Sequence, residues 1–512
     1  MASDIAELKA DCSSPRISQT TLPYDGDLGD CHDTHSMKSR DTNKDKNPRY
    51  WSAVKKRLLF TALVSSSLLA DGGMTWGATL VVTQALRWNI AVSHSATSLN
   101  YGILLQGFGG IVAVPLIGAY GRLPVWFWSQ VITMFMVLGA TLSNSWGVFT
   151  VFRSLQGFFG TVPQVVGLPI IYDMYAPQEW PRMINIWGTT FLVGPFIGPA
   201  LAGYILDGCH NQWAVSFGVL TALYAVSTLL IIIFGYETYY LERSATSSYQ
   251  ESMHTRLRSF FGIGNTHLPK WDTLTTQSKV SLKLIFKISL LLPGIATMIN
   301  FCWPIGITTT VDTFLHSSPY SFDTVQASSM RFAGVIGALS GYLFGYFFNE
   351  WIYNTHHNQD RTQSENDSEH LGSMVVSSSW RPEYRLHGIW FPIGSLAAGL
   401  LTYGLTLNFG KHWIGLAFGW IMVNLGMISS TVAITAYALE KFPSHSTSVS
   451  AIINMWRTCG GFSVGYFQSA WISRNGCGVV FGIQAAIVVA GALLTIVPVM
   501  ILAKRKQNQA IA

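Results

Sequence analysis

Apolar residues along this chain gather into twelve runs, each near the roughly 20 residues a helix needs to cross a hydrocarbon core. Six precede the midpoint, at 58–80, 97–119, 125–142, 146–172, 183–206 and 213–235. Six follow it, at 288–310, 328–348, 388–407, 413–439, 449–471 and 479–502. The third is the shortest. Polar residues fall between the runs. A polar stretch at 237–284 parts the first six from the last six, and a polar insert at 350–386 parts the eighth from the ninth. Both are too polar for the bilayer and too poor in apolar spacing for a folded domain. Residues 1–50 are polar and lack the apolar core of a signal peptide. They read as a disordered tail, and the first run as an uncleaved anchor. The pattern predicts an all-α membrane protein of twelve transmembrane helices. A first six-helix bundle spans 51–236 and a second spans 285–503, with 504–512 closing the chain.

Composition agrees with lipid as the main solvent. Only 11% of residues are charged and 49% are hydrophobic, against about 25% charged in a soluble domain. The placement of positive charge says more than the net +6. Lys55, Lys56 and Arg57 precede the first run. Arg122, Arg182, the basic central stretch, Arg381 with Arg385, Lys441, and Lys504 to Lys506 follow the even-numbered runs. The opposite loops hold only Arg87, Lys411 and Arg474. The positive-inside rule then sets both termini in the cytoplasm, and an even number of spans requires the same. The chain ends without a retention signal, so the plasma membrane is expected. The basic clusters leave no nucleic-acid footprint. The six Cys residues have no metal-ligand spacing. There is no phosphate-binding loop, no nucleophile elbow and no His-Glu-x-x-His. No enzyme, cofactor, metal site or catalytic residue is expected, and the protein is expected to be a monomer.

Charges inside apolar runs need a reason, since each costs at least ~2.5–3.5 kcal/mol to insert. Asp71 in the first run lies about 20 Å above its cytoplasmic end, and Arg153 in the fourth about 10 Å below its outer end. In a core about 30 Å thick the two reach nearly one depth. The pair is therefore the candidate proton-coupling site, with a static ion pair stapling the two helices as the alternative. Arg457 in the eleventh run reads as a structural tie within the second half. Arg331 and Lys287 lie near helix ends and read as solvated by snorkelling. Asp173 and Glu440 read as partners for loops.

Aromatic and amide side chains deep in the runs are candidates for lining a substrate cavity: Trp76, Trp187 and Trp303, with Gln106, Gln164 and Asn300. Gly194, Pro195 and Gly198 in the fifth run suit a bent, thin helix that another can approach closely. The fifth and eleventh runs also share a pattern. Ile184-Asn185-Ile186-Trp187-Gly188-Thr189 matches Ile453-Asn454-Met455-Trp456-Arg457-Thr458 at four of six positions, as in transporters built from related halves.

Several of these residues carry a family resemblance. Arg153-Ser154-Leu155-Gln156-Gly157, Gly194-Pro195-Phe196-Ile197-Gly198, Gly121-Arg122-Leu123-Pro124, Glu237-Thr238 and Pro382-Glu383-Tyr384-Arg385-Leu386 resemble, in this order, motifs of the major facilitator superfamily and of its fungal drug:proton antiporter branch. The resemblance covers roughly 51–504. It implies proton coupling through the Arg153 motif and an antiporter motif in the fifth helix. It also implies a cytoplasmic charge network in which Arg122 takes part. One departure stands out: where the family carries an Asp before the Gly-Arg pair, this chain has Gly118. The resemblance implies a proton-coupled antiporter exporting a small organic molecule by alternating access of two bundles. A symporter or uniporter importing a nutrient such as a polyamine or sugar is the alternative, and a non-transporting membrane sensor is a reading of another class.

Overall fold

The computed structural model describes residues 47–176, 179–239, 253–262, 270–368 and 381–511, all within one compact unit that begins at Asp45. The polar tail expected at 1–50 lies outside the described residues as far as residue 46. Parts of the central stretch (240–252 and 263–269) and of the insert (369–380) lie outside them as well.

Among the described residues the secondary structure is entirely helical. Eleven helical spans are long and apolar enough to cross a membrane. They are α1 (Ala53–Thr79), α2 (Val92–Tyr120), α3 (Arg122–Thr141), α4 (Trp146–Met174), α5 (Trp180–Gly208), α6 (Trp213–Phe234), α7 (Ile288–His316), α8 (Thr324–Thr355), α9 (Pro382–Asn408), α10 (Trp413–Lys441) and α12 (Cys477–Arg505). The remaining one, α11 (Ser446–Asn475), has 30 residues but a less apolar sequence. Its polar residues Asn454, Arg457, Thr458 and Gln468 are buried, so they face protein and not lipid. Helices dominate because lipid offers no partner to backbone N–H and C=O groups, and a helix satisfies them internally.

Local signals fix the helix ends. Ser52 and Ser145 accept backbone N–H groups at the starts of α1 and α4. Asp323 and Gln326 form a reciprocal capping box at the start of α8. Gly121 alone joins α2 to α3 with φ 98, a conformation that a side chain would strain. Glu237 accepts the backbone N–H of Arg122 (3.2 Å) and of Leu123 (3.1 Å) at the start of α3, which ties α3 to the segment after α6. Burial pushes the Glu237 carboxyl above the usual carboxylate range, against the pull of these bonds.

Glycine sets the closest crossings. A Cβ on Gly198 would lie 2.1 Å from the Gly72 carbonyl oxygen, so α5 and α1 touch backbone to backbone. Gly157 and Gly102 do the same for α4 and α2, where a Cβ would come within 2.0 Å of a carbonyl oxygen. The halves meet along two seams. In one, α2 packs on α11, with Gly107 against Met455 and Gly465 against Asn100. In the other, α5 packs on α8, with Gly203 against Ser328 and the Tyr204 and Ser329 hydroxyls 2.9 Å apart.

The structure departs from the sequence reading in the polar stretches. Two helices stand in the central stretch, Met253–Phe260 and Lys270–Ile285, and both dock on the bundle. Phe260 lies against Phe127 at the base of α3 (ring centroids 4.8 Å apart), and Arg256 bonds the carbonyls of Ile232 (2.8 Å) and Ile233 that end α6. In the insert, the helix that carries α8 continues to Ser368. Polar composition alone does not report such docking, because only one face of each short helix packs on the bundle.

Arg331 also departs from expectation. It is fully buried, pairs with Asp312 of α7 at 2.8 Å and donates to the Thr308 carbonyl at 3.2 Å. It is the single residue between Thr324–Met330 and the continuation of α8 from Phe332. Lys287 is exposed, as read, with its ammonium over the Phe442 ring.

Candidate functional site

Asp71 is 4% exposed and lies two turns before the end of α1, where Gly194 and Gly198 bring α5 against the α1 backbone at Gly72. Its carboxylate meets Arg457 of α11. Arg457 Nη1 reaches Oδ2 at 2.7 Å and Nη2 reaches Oδ1 at 3.2 Å, a two-pronged contact. Gln106 of α2 donates to the same Oδ1. Asn454, one turn before Arg457, accepts from Nε (3.1 Å) and Nη2 (2.7 Å). Asn454 in turn donates to Thr161 of α4 at 3.1 Å. Gln164 of α4 accepts from Arg457 at 3.3 Å. The guanidinium lies between the rings of Phe191 on α5 (5.2 Å) and Phe301 on α7 (4.9 Å). Six helices from both halves thus meet at one charge pair.

Arg153 is placed elsewhere. It is fully buried and donates to the carbonyls of Gly73 (3.0 Å) and Met74 in α1 and to Gln156 in its own helix. Its guanidinium lies 5.2 Å from the Phe217 ring. The carbonyls it binds lie just before the last turn of α1, where the helix tightens at Trp76–Thr79. Arg153 therefore holds the backbone just beyond Asp71, while the ionic partner of Asp71 is Arg457. The reading of Arg457 as a tie within the second half is corrected accordingly: it reaches across to the first.

A cavity of about 310 Å³ runs from this cluster to the end of the bundle that holds the start of α1 and the end of α12, here the basal face. Gln164, Asn454 and Arg457 lie at its floor. Its walls are mainly apolar and aromatic, with Trp187, Phe191 and Leu192 from α5 facing Thr431, Val432 and Leu439 from α10. Tyr172, Trp180, Tyr346, Glu350, Arg385 and Glu440 line the mouth. On the far side of Asp71 lies a hollow of about 10 Å³, and among the described residues the seams are closed at Tyr204–Ser329 and Asn100–Gly465. Among the described residues the cavity beside the charge pair opens at the basal face.

Of the six expected cavity residues, Gln164 and Trp187 line it, and Gln106 borders the small hollow. Trp76 does not: its indole N–H donates to Ser216 of α6 (3.0 Å) inside the first half. Asn300 does not either, since it donates to Ser430 of α10 at 3.2 Å. Trp303 is buried beside Phe467 of α11, at 6.4 Å between ring centroids. All three are deep enough along their helices but face the packing side.

The basal charges form two similar sets. Arg122 at the start of α3 pairs with Asp173 near the end of α4 at 2.6 Å. Arg385, beside the start of α9, pairs with Glu440 near the end of α10 at 2.9 Å, and Lys441 pairs with Glu383. Among the described residues each of these three ion pairs joins two groups of the same half. Arg122 is thus a tie inside the first bundle and not a link between bundles. The sequence reading missed Asn454, Thr161, Phe191 and Phe301 as partners of the charge pair. One signal was present: within the shared six-residue pattern, Gly188 of α5 stands where α11 has Arg457, and both line the cavity.

Comparison with known proteins gives the same fold. An MFS-type transporter, mpsC, of Macrophomina phaseolina (strain MS6) is 27% identical over 429 residues, covering 81% of this chain and 78% of its own. The efflux pump radE of Floropilus chiversii is 21% identical over 469 residues, covering 89% and 81%. The crystal structure of the human organic anion transporter MFSD10 (TETRAN) superposes with a TM-score of 0.52 at 14% identity, covering 86% of this chain and 99% of that one. The family model of the Major Facilitator Superfamily matches residues 61–356, more than half of the chain, and with the helical fold and its one-sided cavity this identifies the chain as a membrane transporter belonging to that superfamily.

Proposed function

We propose that this transporter exports a small, largely apolar organic molecule in exchange for protons, with Asp71 carrying the proton and Arg457 reporting its state to the second half. One observation carries the reading: among the described residues Asp71 pairs with one cation, Arg457, in a buried contact that bridges α1 and α11 at the floor of the cavity. Ionised, Asp71 binds Arg457 and ties the halves together at that depth. Protonated, it loses the charge attraction, and Arg457 is left to Asn454, Gln164 and two aromatic rings. Breaking a buried pair changes the energy by several kcal/mol, enough to bias which face of the bundle is open. The aromatic walls suit ring-bearing molecules, and the similarity to the efflux pump radE favours export. By the positive-inside argument the open basal face is cytoplasmic.

The same pair favours a second reading when the substrate is an acid. Once Asp71 is protonated, a substrate carboxylate can replace it at Arg457, and proton and anion then move together as a symport. The test is expression in a host whose own pumps are deleted, a growth screen against toxic compounds, and then uptake of the protecting compound into inverted vesicles under an imposed pH gradient. Export by antiport requires that an acidic vesicle interior drives uptake and that Asp71→Asn abolishes it at normal surface expression. Full gradient-driven accumulation by the Asn variant sinks the proposal. Uptake driven by an acidic exterior instead supports the symport reading.

A further inference from the structure

The helix Lys270–Ile285 presents two different faces. One is committed to the bundle. Leu284 is buried in the core of the second half with Val280 and Ile285 packed around it, and Ser281 donates to Ser448 of α11 at 3.2 Å. Gln277 lies against α2, where a Cβ on Gly118 would come within 2.2 Å of its amide nitrogen. The helix therefore straddles the basal end of the α2–α11 seam and fills the space beside Gly118.

The other face has no protein partner among the described residues. Trp271 is 79% exposed, Phe286 74% and Leu282 55%. At 100° per residue these three fall on one strip, and Lys279 and Lys283 fall on the strip beside it. Both lysines are exposed, and Asp272 is the one acidic residue of the helix. An apolar strip flanked by lysines, on a short helix held at the end of a membrane bundle, matches the boundary between acyl chains and headgroups. Trp and Phe settle at that boundary, and lysines beside it attract anionic headgroups.

We infer that this face is a binding site for anionic phospholipid, with Lys279 and Lys283 on the headgroup and Trp271, Leu282 and Phe286 against the acyl chains. The same helix holds α2 through Gln277 and α11 through Ser281, so a lipid bound here bears on the seam between the halves. The inference rests on the membrane location of the bundle and is independent of proton coupling.

The experiment is equilibrium lipid binding to the full-length protein in uncharged detergent, without any gradient, so the outcome of the transport assay above does not affect it. Phosphatidylserine and phosphatidylcholine are titrated separately and bound lipids are counted by native mass spectrometry. Each lysine near an anionic surface is worth about fivefold in affinity, so Lys279→Gln with Lys283→Gln should weaken phosphatidylserine binding by about 25-fold and leave phosphatidylcholine unchanged. Lys279→Arg with Lys283→Arg should keep the affinity, which separates loss of charge from misfolding. Equal binding of the two lipids by the wild type, or phosphatidylserine affinity within twofold of wild type in the double Gln variant, overturns the inference.

Discussion

Asp71 and Arg457, 386 positions apart in the sequence, close on each other at 2.7 and 3.2 Å between the first and eleventh membrane helices. The two sides of this contact are unequally supported. Arg457 keeps Asn454, Gln164, two aromatic rings and the cavity if Asp71 is neutralised. Asp71 without Arg457 keeps Gln106 as its hydrogen-bond donor and is sealed from the cavity.

A stability order follows. Arg457→Met should destabilise by about 3–5 kcal/mol, because it strands a buried carboxylate. Asp71→Asn should cost clearly less. The double variant should recover most of the Arg457→Met loss while transporting nothing against a gradient. Thermal unfolding in detergent, with surface expression, gives the order, and a single Asn variant less stable than the Met variant contradicts it.

Gly188 lines the cavity, and a Cβ there meets nothing within 4 Å. Gly188→Ala should leave folding and transport near wild type. Gly188→Trp should fill the cavity and block transport while the protein remains folded, since an indole placed in open space clashes with no packed core. Transport by the Trp variant at the wild-type rate would show that substrate does not pass this wall.

At Gly198 the neighbour is backbone, which cannot rotate away. Gly198→Ala should push α1 from α5 beside Asp71 and destabilise by about 1–3 kcal/mol, with Gly198→Val worse. Because the shift falls on the helix that carries Asp71, transport should fall further than the amount of folded protein. Transport per folded molecule equal to wild type would place the effect outside the site.

The closed far seam offers a lock. A Cβ on Gly203 lies 3.1 Å from Ser328 Cβ, near the roughly 3.5–4.5 Å of a disulfide. Gly203→Cys with Ser328→Cys should crosslink α5 to α8 under oxidation and stop transport, and reductant should restore it. Undiminished transport by the fully crosslinked protein would exclude opening at this seam.

How much of this was legible beforehand differs by residue. The spans were readable because lipid demands about 20 apolar residues whatever the neighbours are. The shortest run, at 125–142, is α3 at Arg122–Thr141. The least apolar one, α11, is polar because it lines the interior, and its asparagine and arginine belong to the site. Gln164 and Trp187 were readable as cavity residues, but Trp76, Asn300 and Trp303, at similar depths, were not distinguishable from them. The docking of Lys270–Ile285 was hidden for another reason: a short helix with only one face on the bundle has too few apolar residues to stand out by composition.

The sequence by itself determined the order of the membrane-length helices, how far along its helix each residue lies, and that Asp71 and Arg153 are charges needing an explanation. Depth follows from a rise of about 1.5 Å per residue and needs no partner. Only the tertiary structure decided which charge meets which. Direction around a helix axis, and the identity of the helix facing it, depend on packing through contacts such as Gly72 with Gly198. Those contacts turned Asp71 toward Arg457 of the other half, and Arg153 toward the backbone of α1.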